Sequence, residues 1–254
     1  MEKASIERLR LGPVADDVSG NLADLAVDQN HLIQRLTANY RSQLLSVARP
    51  VELRLGEILY ESGKRTRYAY FPVEGFVSLV AMIEGSRGLE VGMVGREGML
   101  GAHLALGVQD APLKAVVQGA GRAWRVDAKV LKAELAQTPS LQRVLNQYVY
   151  VLMAQFATSA ACQRFHQIHS RLARWLLMSQ DRACSECFCV TQEFLAYMLG
   201  VRRVSITIAA GALQRAGFIE YRRGELTVLD RIGLEAATCR CYEADRRAYD
   251  RQLR

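Results

Sequence analysis

The chain has 254 residues and a mass of 28.4 kDa, with 50% apolar and 23% charged residues. That is globular composition with room for two domains, and it excludes a disordered, collagen-like or disulfide-dense chain. The net charge of +7 favours a polyanionic partner.

Lys3, Lys64, Lys114, Lys129 and Lys132 are the only lysines, so 28 of the 33 basic residues are arginine. From His166 onward there are 14 Arg, no Lys and 10 acidic residues. Guanidinium suits bidentate contact with phosphate and guanine, although a GC-rich coding sequence gives the same bias. No apolar run approaches the ~20 residues that cross a bilayer, and residues 1–8 lack the apolar stretch of a secretory signal. A cytoplasmic protein with reduced thiols and no membrane contact is expected.

In chain order, residues 1–28 are broken by Gly12-Pro13 and Ser19-Gly20 and are expected to form a loose arm. Residues 29–127 are expected to form one domain. It opens with short helices over 30–47, marked by Leu32, Ile33, Leu36, Leu44 and Leu45, which Pro50 closes. Short β-branched and aromatic runs follow at 57–60, 68–71, 76–80, 115–117 and 124–126, punctuated by glycines. That spacing predicts an antiparallel barrel or sandwich.

Residues 128–165 read as helical. Asp127 caps a helix through Leu135, and Pro139 sits at the first position of another. No Gly or Pro interrupts 140–171, about 48 Å of helix. Leu141, Leu145, Tyr148 and Leu152 follow a 3-4 spacing that Gln155 and Ser159 extend, while Val144, Val149, Val151, Met153 and Phe156 widen the apolar surface. The stripe is expected to pair with its mate in a second copy, with the other face on the barrel. A helix buried inside a monomer gives the same periodicity.

Residues 166–254 form a third unit. Ile168, Leu172, Trp175, Leu176 and Met178 mark a helix, followed by a cysteine-rich connection over 181–189. A helix at 191–199, a turn at Gly200-Val201-Arg202 and a helix at 203–215 come next, closed by Gly217. Strands at 219–221 and 226–229 flank Arg222-Arg223-Gly224-Glu225, and a last helix ends the chain. Helix, glycine turn, helix is the helix-turn-helix unit. Thr191 is its N-cap. The second helix opens with Arg202, Arg203, Ser205 and Thr207 at the end that enters a major groove. Arg203 would hold guanine O6 and N7, with Ser205 and Thr207 also at base edges. Arg222 and Arg223 would clamp flanking phosphates from the hairpin tip. A helical hairpin that merely packs has the same pattern.

These residues resemble regulators of the cyclic-AMP receptor protein and fumarate-nitrate regulator (Crp-Fnr) superfamily, over about residues 30–240. The resemblance rests on Leu55-Gly56-Glu57-Ile58-Leu59-Tyr60, Tyr70-Phe71-Pro72-Val73-Glu74-Gly75 and Val94-Gly95-Arg96-Glu97-Gly98-Met99-Leu100-Gly101. Most specific is Leu199-Gly200-Val201-Arg202-Arg203 running ungapped into Ala212-Leu213-Gln214-Arg215-Ala216-Gly217-Phe218-Ile219. It implies an α+β chain with an N-terminal antiparallel β-roll sensor, a long dimerisation helix and a C-terminal winged helix-turn-helix. The implied function is a homodimeric transcriptional regulator on a two-fold symmetric operator, with an effector in the β-roll and RNA polymerase as a further partner. Arg203 falls on the first base-reading arginine, whereas Val204 and Ile208 replace a glutamate and a second arginine. Thr191 and Gln192, with Arg202, match or adjoin phosphate-holding positions.

The cyclic-nucleotide cassette departs from the resemblance. Gly95-Arg96-Glu97-Gly98 carries an inserted residue, and Ala111-Pro112-Leu113 stands where an Arg and a Ser are expected. Cyclic AMP is therefore not the expected effector. The effector pocket is placed at Gly95, Arg96, Glu97, Gly98 and Lys114. A second reading is a small-molecule sensor whose C-terminal half is an interaction surface.

Cys184, Cys187 and Cys189, with Cys239 and Cys241, offer thiolates for zinc, an iron–sulfur cluster or redox sensing. Positions 239 and 241 would point to different faces of a helix. Cys162, His166 and His169 share a helix face but lack a fourth ligand. Packed thiols are the plainer reading, so neither a metal nor a cofactor is expected. No nucleophile elbow, Walker loop, zincin motif or dinucleotide fingerprint occurs, and no enzyme is expected.

Overall fold

The computed structural model describes residues 30–83, 88–183 and 187–253. The expected arm at 1–28 and Cys184 lie outside the described residues. Asn30 is fully buried and begins the described chain. Its Oδ1 accepts from the N–H groups of Leu32 and Ile33, which caps α1 (His31–Gln34). Its Nδ2 donates to the carbonyls of Pro72 and Gly98 at 2.9 and 2.8 Å, pinning the helix to the sheets. A second helix, α2 (Ala38–Val47), follows.

Among the described residues seven strands form the β-roll: β1 (Arg49–Leu53), β2 (Ile58–Tyr60), β3 (Tyr68–Pro72), β4 (Phe76–Ala81), β5 (Leu89–Val94), β6 (Lys114–Gly119) and β7 (Gly121–Asp127). They pair antiparallel in two sheets, ordered β1-β7-β3 and β2-β6-β4-β5. Pro50 does not stop at closing the helices, as expected, but lies within β1. It is tolerated because β1 is an edge strand, where a missing N–H need not break a ladder. The strand β5 went unread because Gly92 weakens its pattern. A Cβ at Gly92 would lie 2.8 Å from the Phe156 ring, so this glycine marks close approach of the long helix.

Asp127 caps α3 (Ala128–Gln137) by accepting from the Lys129 N–H, and Pro139 opens α4 (Pro139–Phe165). This helix has 27 residues, about 40 Å, and ends short of the expected run. His166 is extended (φ −111°, ψ 146°), and α5 (Ile168–Ala183) starts anew. The break has a packing cause. Leu141, Leu145 and Tyr148 of α4 bury in the β-roll core with Phe71, Val94 and Leu131. Leu172, Trp175 and Leu176 of α5 bury in a separate core. One straight helix could not face both.

The expected dimer stripe is corrected by the same cores. Leu141, Leu145, Tyr148 and Leu152 are all buried within the chain's own β-roll core. They are the roll-facing side of α4. Its outward side carries Asn146, Tyr150, Met153 and Ala157, all exposed, in the same 3-4 spacing.

The C-terminal unit adds β8 (Cys187–Cys189), α6 (Gln192–Met198), α7 (Arg203–Arg215), β9 (Ile219–Arg222), β10 (Glu225–Val228), α8 (Arg231–Ala237) and α9 (Cys241–Leu253). The expected cysteine-rich connection is in part a strand: β8 pairs with β10 to make a three-stranded wing sheet, β8-β10-β9. The single expected last helix is two, and α9 packs along α4. The C-terminal core takes in Phe76, Val80 and Met93 from β4 and β5, so the winged unit seats on the outer face of the roll.

Candidate nucleic-acid interface

Thr191 caps α6 by accepting from the Phe194 N–H, and Phe194, Leu195 and Met198 bury its inner side. The chain then bends through 108° into α7, within the range of helix-turn-helix units. Gly200 makes the turn at φ +63°, which a β-carbon would strain, and a Cβ there would also lie 2.7 Å from Leu89. Ile206, Ala209, Ala210 and Leu213 bury the inner side of α7.

The other side of α7 faces solvent. Arg202 at the N-cap, Arg203 and Thr207 are exposed. Among the described residues no side chain caps this end, and its first turn carries no acidic residue, so the leading N–H groups are oriented to meet an anion. Thr207 Oγ1 donates to Gln192 Oε1 at 2.6 Å, tying α7 to the start of α6. That bond uses the Gln192 carbonyl oxygen and not its amide hydrogens. Ser205 is half-buried and contributes less than expected to the open face. Val204 and Ile208 take that place, at 58% and 65% exposure. The sequence held the clue, since the resemblance implies polar residues at both positions. Two exposed β-branched side chains beside Arg203 match the chemistry of thymine methyl groups.

The wing is a two-residue hairpin. Arg223 and Gly224 have φ of +51° and +86°, and Glu225 pairs with Arg222, as in a type I′ turn. Arg223 therefore stands at the tip. Arg222 is exposed and ion-paired to Glu220 at 2.8 Å. Tyr221 on β9 donates to the Val190 carbonyl at 2.7 Å; burial pushes its hydroxyl up to about 12, against the positive charge of Arg203.

The expected effector residues converge in part: Arg96 and Glu97 line one cavity, and Lys114 stands apart from them. Gly95-Arg96-Glu97-Gly98 is a turn after β5, with the Gly95 N–H donating to Glu97 Oε1 at 3.1 Å. Its inner side is filled by protein, whereas Arg96 and Glu97 line a cavity of about 230 Å³ with Tyr148, Arg182, Tyr242 and Tyr249. A Cβ on Gly98 would overlap the Tyr148 phenol, and Glu97 pairs with Arg182 of α5 at 2.8 Å, both largely buried. Lys114 sits opposite Val80 on β4, whereas Val94 sits opposite Val77, which separates Lys114 from the turn by about 10 Å along the strand. Its ammonium pairs with Glu61 at 3.4 Å. A separate, apolar cavity of about 220 Å³ lies between the roll and α4, lined by Tyr60, Val94, Leu100, His103, Val149 and Phe156 among others. His103 shares a 2.8 Å hydrogen bond with Thr66, and burial lowers its pKa, opposed by Asp110. Sequence patterning could not show this cavity, because its walls come from five separate segments.

Among the described residues no single helix is long and apolar enough to cross a membrane. The Crp-like helix-turn-helix domain family matches residues 170–237. Comparison with curated proteins finds no match. Among solved structures, FixK2 from Bradyrhizobium japonicum has a TM-score of 0.64 at 16% identity, covering 76% of this chain and 98% of that one. A transcriptional regulator of the Crp/Fnr family from Eubacterium rectale has a TM-score of 0.64 at 15% identity, covering 81% and 96%. The c-di-GMP responsive global regulator CLP from Xanthomonas campestris has a TM-score of 0.61 at 16% identity, covering 76% and 99%. The chain carries a Crp-like helix-turn-helix domain on the fold of the Crp-Fnr regulators.

Proposed function

We propose that this chain is a homodimeric, sequence-specific DNA-binding transcriptional regulator that acts in the cytoplasm. The observation that carries this reading is the open N-terminal end of α7, with Arg202, Arg203 and Thr207 exposed and the Arg223 tip on the same domain. Arg203 holds a guanine edge, Val204 and Ile208 meet thymine methyls, and Gln192, Arg202 and Arg223 hold phosphates. Two copies pair through the outward side of α4, along Asn146, Tyr150, Met153 and Ala157, where the described residues leave a 3-4 seam uncovered. A two-fold axis along that seam requires a palindromic operator with half-sites about 34 Å apart.

The effector is an apolar small molecule in the cavity between the roll and α4. Cyclic AMP does not suit it, since Ala111, Pro112 and Leu113 supply no cation for a phosphate and Lys114 is held by Glu61. Occupancy would reach the winged unit through Glu97 and Arg182, because the cavity walls Val94 and Met99 flank the 95–98 turn.

Selection from random duplex DNA followed by gel shift tests the reading. A palindromic site bound with steep salt dependence is expected. Arg203→Ala should weaken that site by about 1–3 kcal/mol and relax one base preference per half-site. Binding that is equal across unrelated sequences would sink the proposal.

A further inference from the structure

Away from the DNA-facing surface, four donor side chains from two distant stretches meet. Cys162 and His166 are one turn apart at the end of α4. Cys239 lies in the break between α8 and α9, and Cys241 opens α9. The sequence objection that 239 and 241 face apart therefore does not hold, because Cys239 is outside the helix. Cys162 Sγ is 3.6 Å from Cys239 Sγ, and Cys241 Sγ is 3.5 Å from His166 Nδ1. All four donor atoms lie within 4.8 Å of one another.

The two short separations match one tetrahedral ion, and the rest, within 4.8 Å, lie about 1 Å or less beyond it. Bonds of about 2.3 Å to sulfur and about 2.05 Å to nitrogen place two sulfurs about 3.8 Å apart and a sulfur about 3.6 Å from a nitrogen. A disulfide would need about 2.05 Å between sulfurs. An iron–sulfur cluster spreads its four ligands over at least two irons, so the four donor atoms do not all crowd round one point. We propose that Cys162, His166, Cys239 and Cys241 form a mononuclear zinc site that fastens the end of the long helix to the winged unit. Cys187 is no part of it, being engaged with Glu225 at 2.9 Å.

Binding is balanced by proton release: zinc displaces the protons of three thiols and takes a neutral imidazole, leaving a net charge of −1. Arg171 and Arg174 stand close enough to interact electrostatically with these cysteines. Arg174 is also paired to Asp245 at 2.6 Å, while Arg171 donates to Gln163 and to the carbonyl of Leu199, the last residue before the Gly200 turn. Fixing the site thus fixes the seat of the helix-turn-helix. That consequence rests on the DNA-binding reading; the site itself does not.

Full-length protein, produced with zinc supplied and the thiols kept reduced, should carry one zinc per chain by elemental mass spectrometry. Cobalt substitution should give the visible bands of a tetrahedral thiolate site. His166→Ala, at an exposed helix end, and Cys241→Ser should each lower zinc affinity in chelator competition. The loss should exceed the roughly 10–100-fold that follows from removing a ligand's hydrogen-bond partner. Cys189→Ser should keep full occupancy. Should Cys241→Ser fail to fold, His166→Ala and stoichiometric zinc release by a thiol-blocking mercurial decide the matter. Protein without zinc, an iron chromophore, or zinc that survives both ligand changes would overturn the assignment. None of these readouts involves DNA, so failure here is distinct from failure of the proposed function.

Discussion

Glu90→Gln should make the protein more stable at alkaline pH relative to the parent, and the gain should vanish under acid conditions. Glu90 lies on β5 facing α5, where it accepts from Ser78 and neighbours Trp175. Burial is the main cause that raises its carboxyl to about 7, against the opposing influence of Ser78, Arg174 and Arg182. In the unfolded chain the group ionises near 4.5, so the folded state keeps a proton that the unfolded state has lost across that window. Its contribution to stability is complete below about 4.5 and is lost as pH rises through about 7. At about 1.4 kcal/mol per tenfold change in proton affinity, the gap amounts to about 3 kcal/mol, a ceiling because the side chain keeps some water contact. Glutamine cannot ionise and should be free of this loss. Urea unfolding followed by tryptophan fluorescence at about pH 5 and about pH 8.5 measures the difference. Parent and variant midpoints that move in parallel would refute the reasoning, since they would place the carboxyl in water.

Three further outcomes follow from the geometry. Met153→Asp puts a charge into the uncovered seam of α4 and should give a monomer by analytical ultracentrifugation that keeps the parent's far-ultraviolet circular dichroism, because the side chain is 63% exposed within one chain. Arg223→Ala should weaken all DNA sequences alike and lower the salt slope by about 1, read from gel shifts over a range of salt. Gly98→Ala drives a methyl into the buried Tyr148 phenol and should cost about 1–3 kcal/mol, with Tyr148→Phe restoring part of the loss in thermal melts.

Local chemistry was legible in the sequence. Asp127, Pro139, Thr191 and Gly217 each act within a few residues, and each stands at the helix end its chemistry predicts. The winged helix-turn-helix followed from such signals. What failed to show needed the third dimension. Both sides of α4 carry apolar residues at the same spacing, so periodicity could not tell Leu145 and Leu152 in the roll from Tyr150 and Met153 in the open. The break at His166 has no glycine or proline to announce it, and only the split between two cores explains it. Cys162 and Cys239 are 77 residues apart, and no spacing rule joins them. Lys114 looked available for a phosphate because Glu61, its partner, is remote in sequence.

The ion pair between Glu97 and Arg182 has a thermodynamic corollary. It is largely shielded from water and bridges the roll to the domain that meets DNA. Free energy exchanged across such a bridge obeys reciprocity: if a molecule in the cavity tightened operator binding about tenfold, the operator would tighten that molecule about tenfold in return. Cellular DNA would then help to set the concentration at which the sensor responds, and the response would sharpen or dull with the number of sites the genome offers.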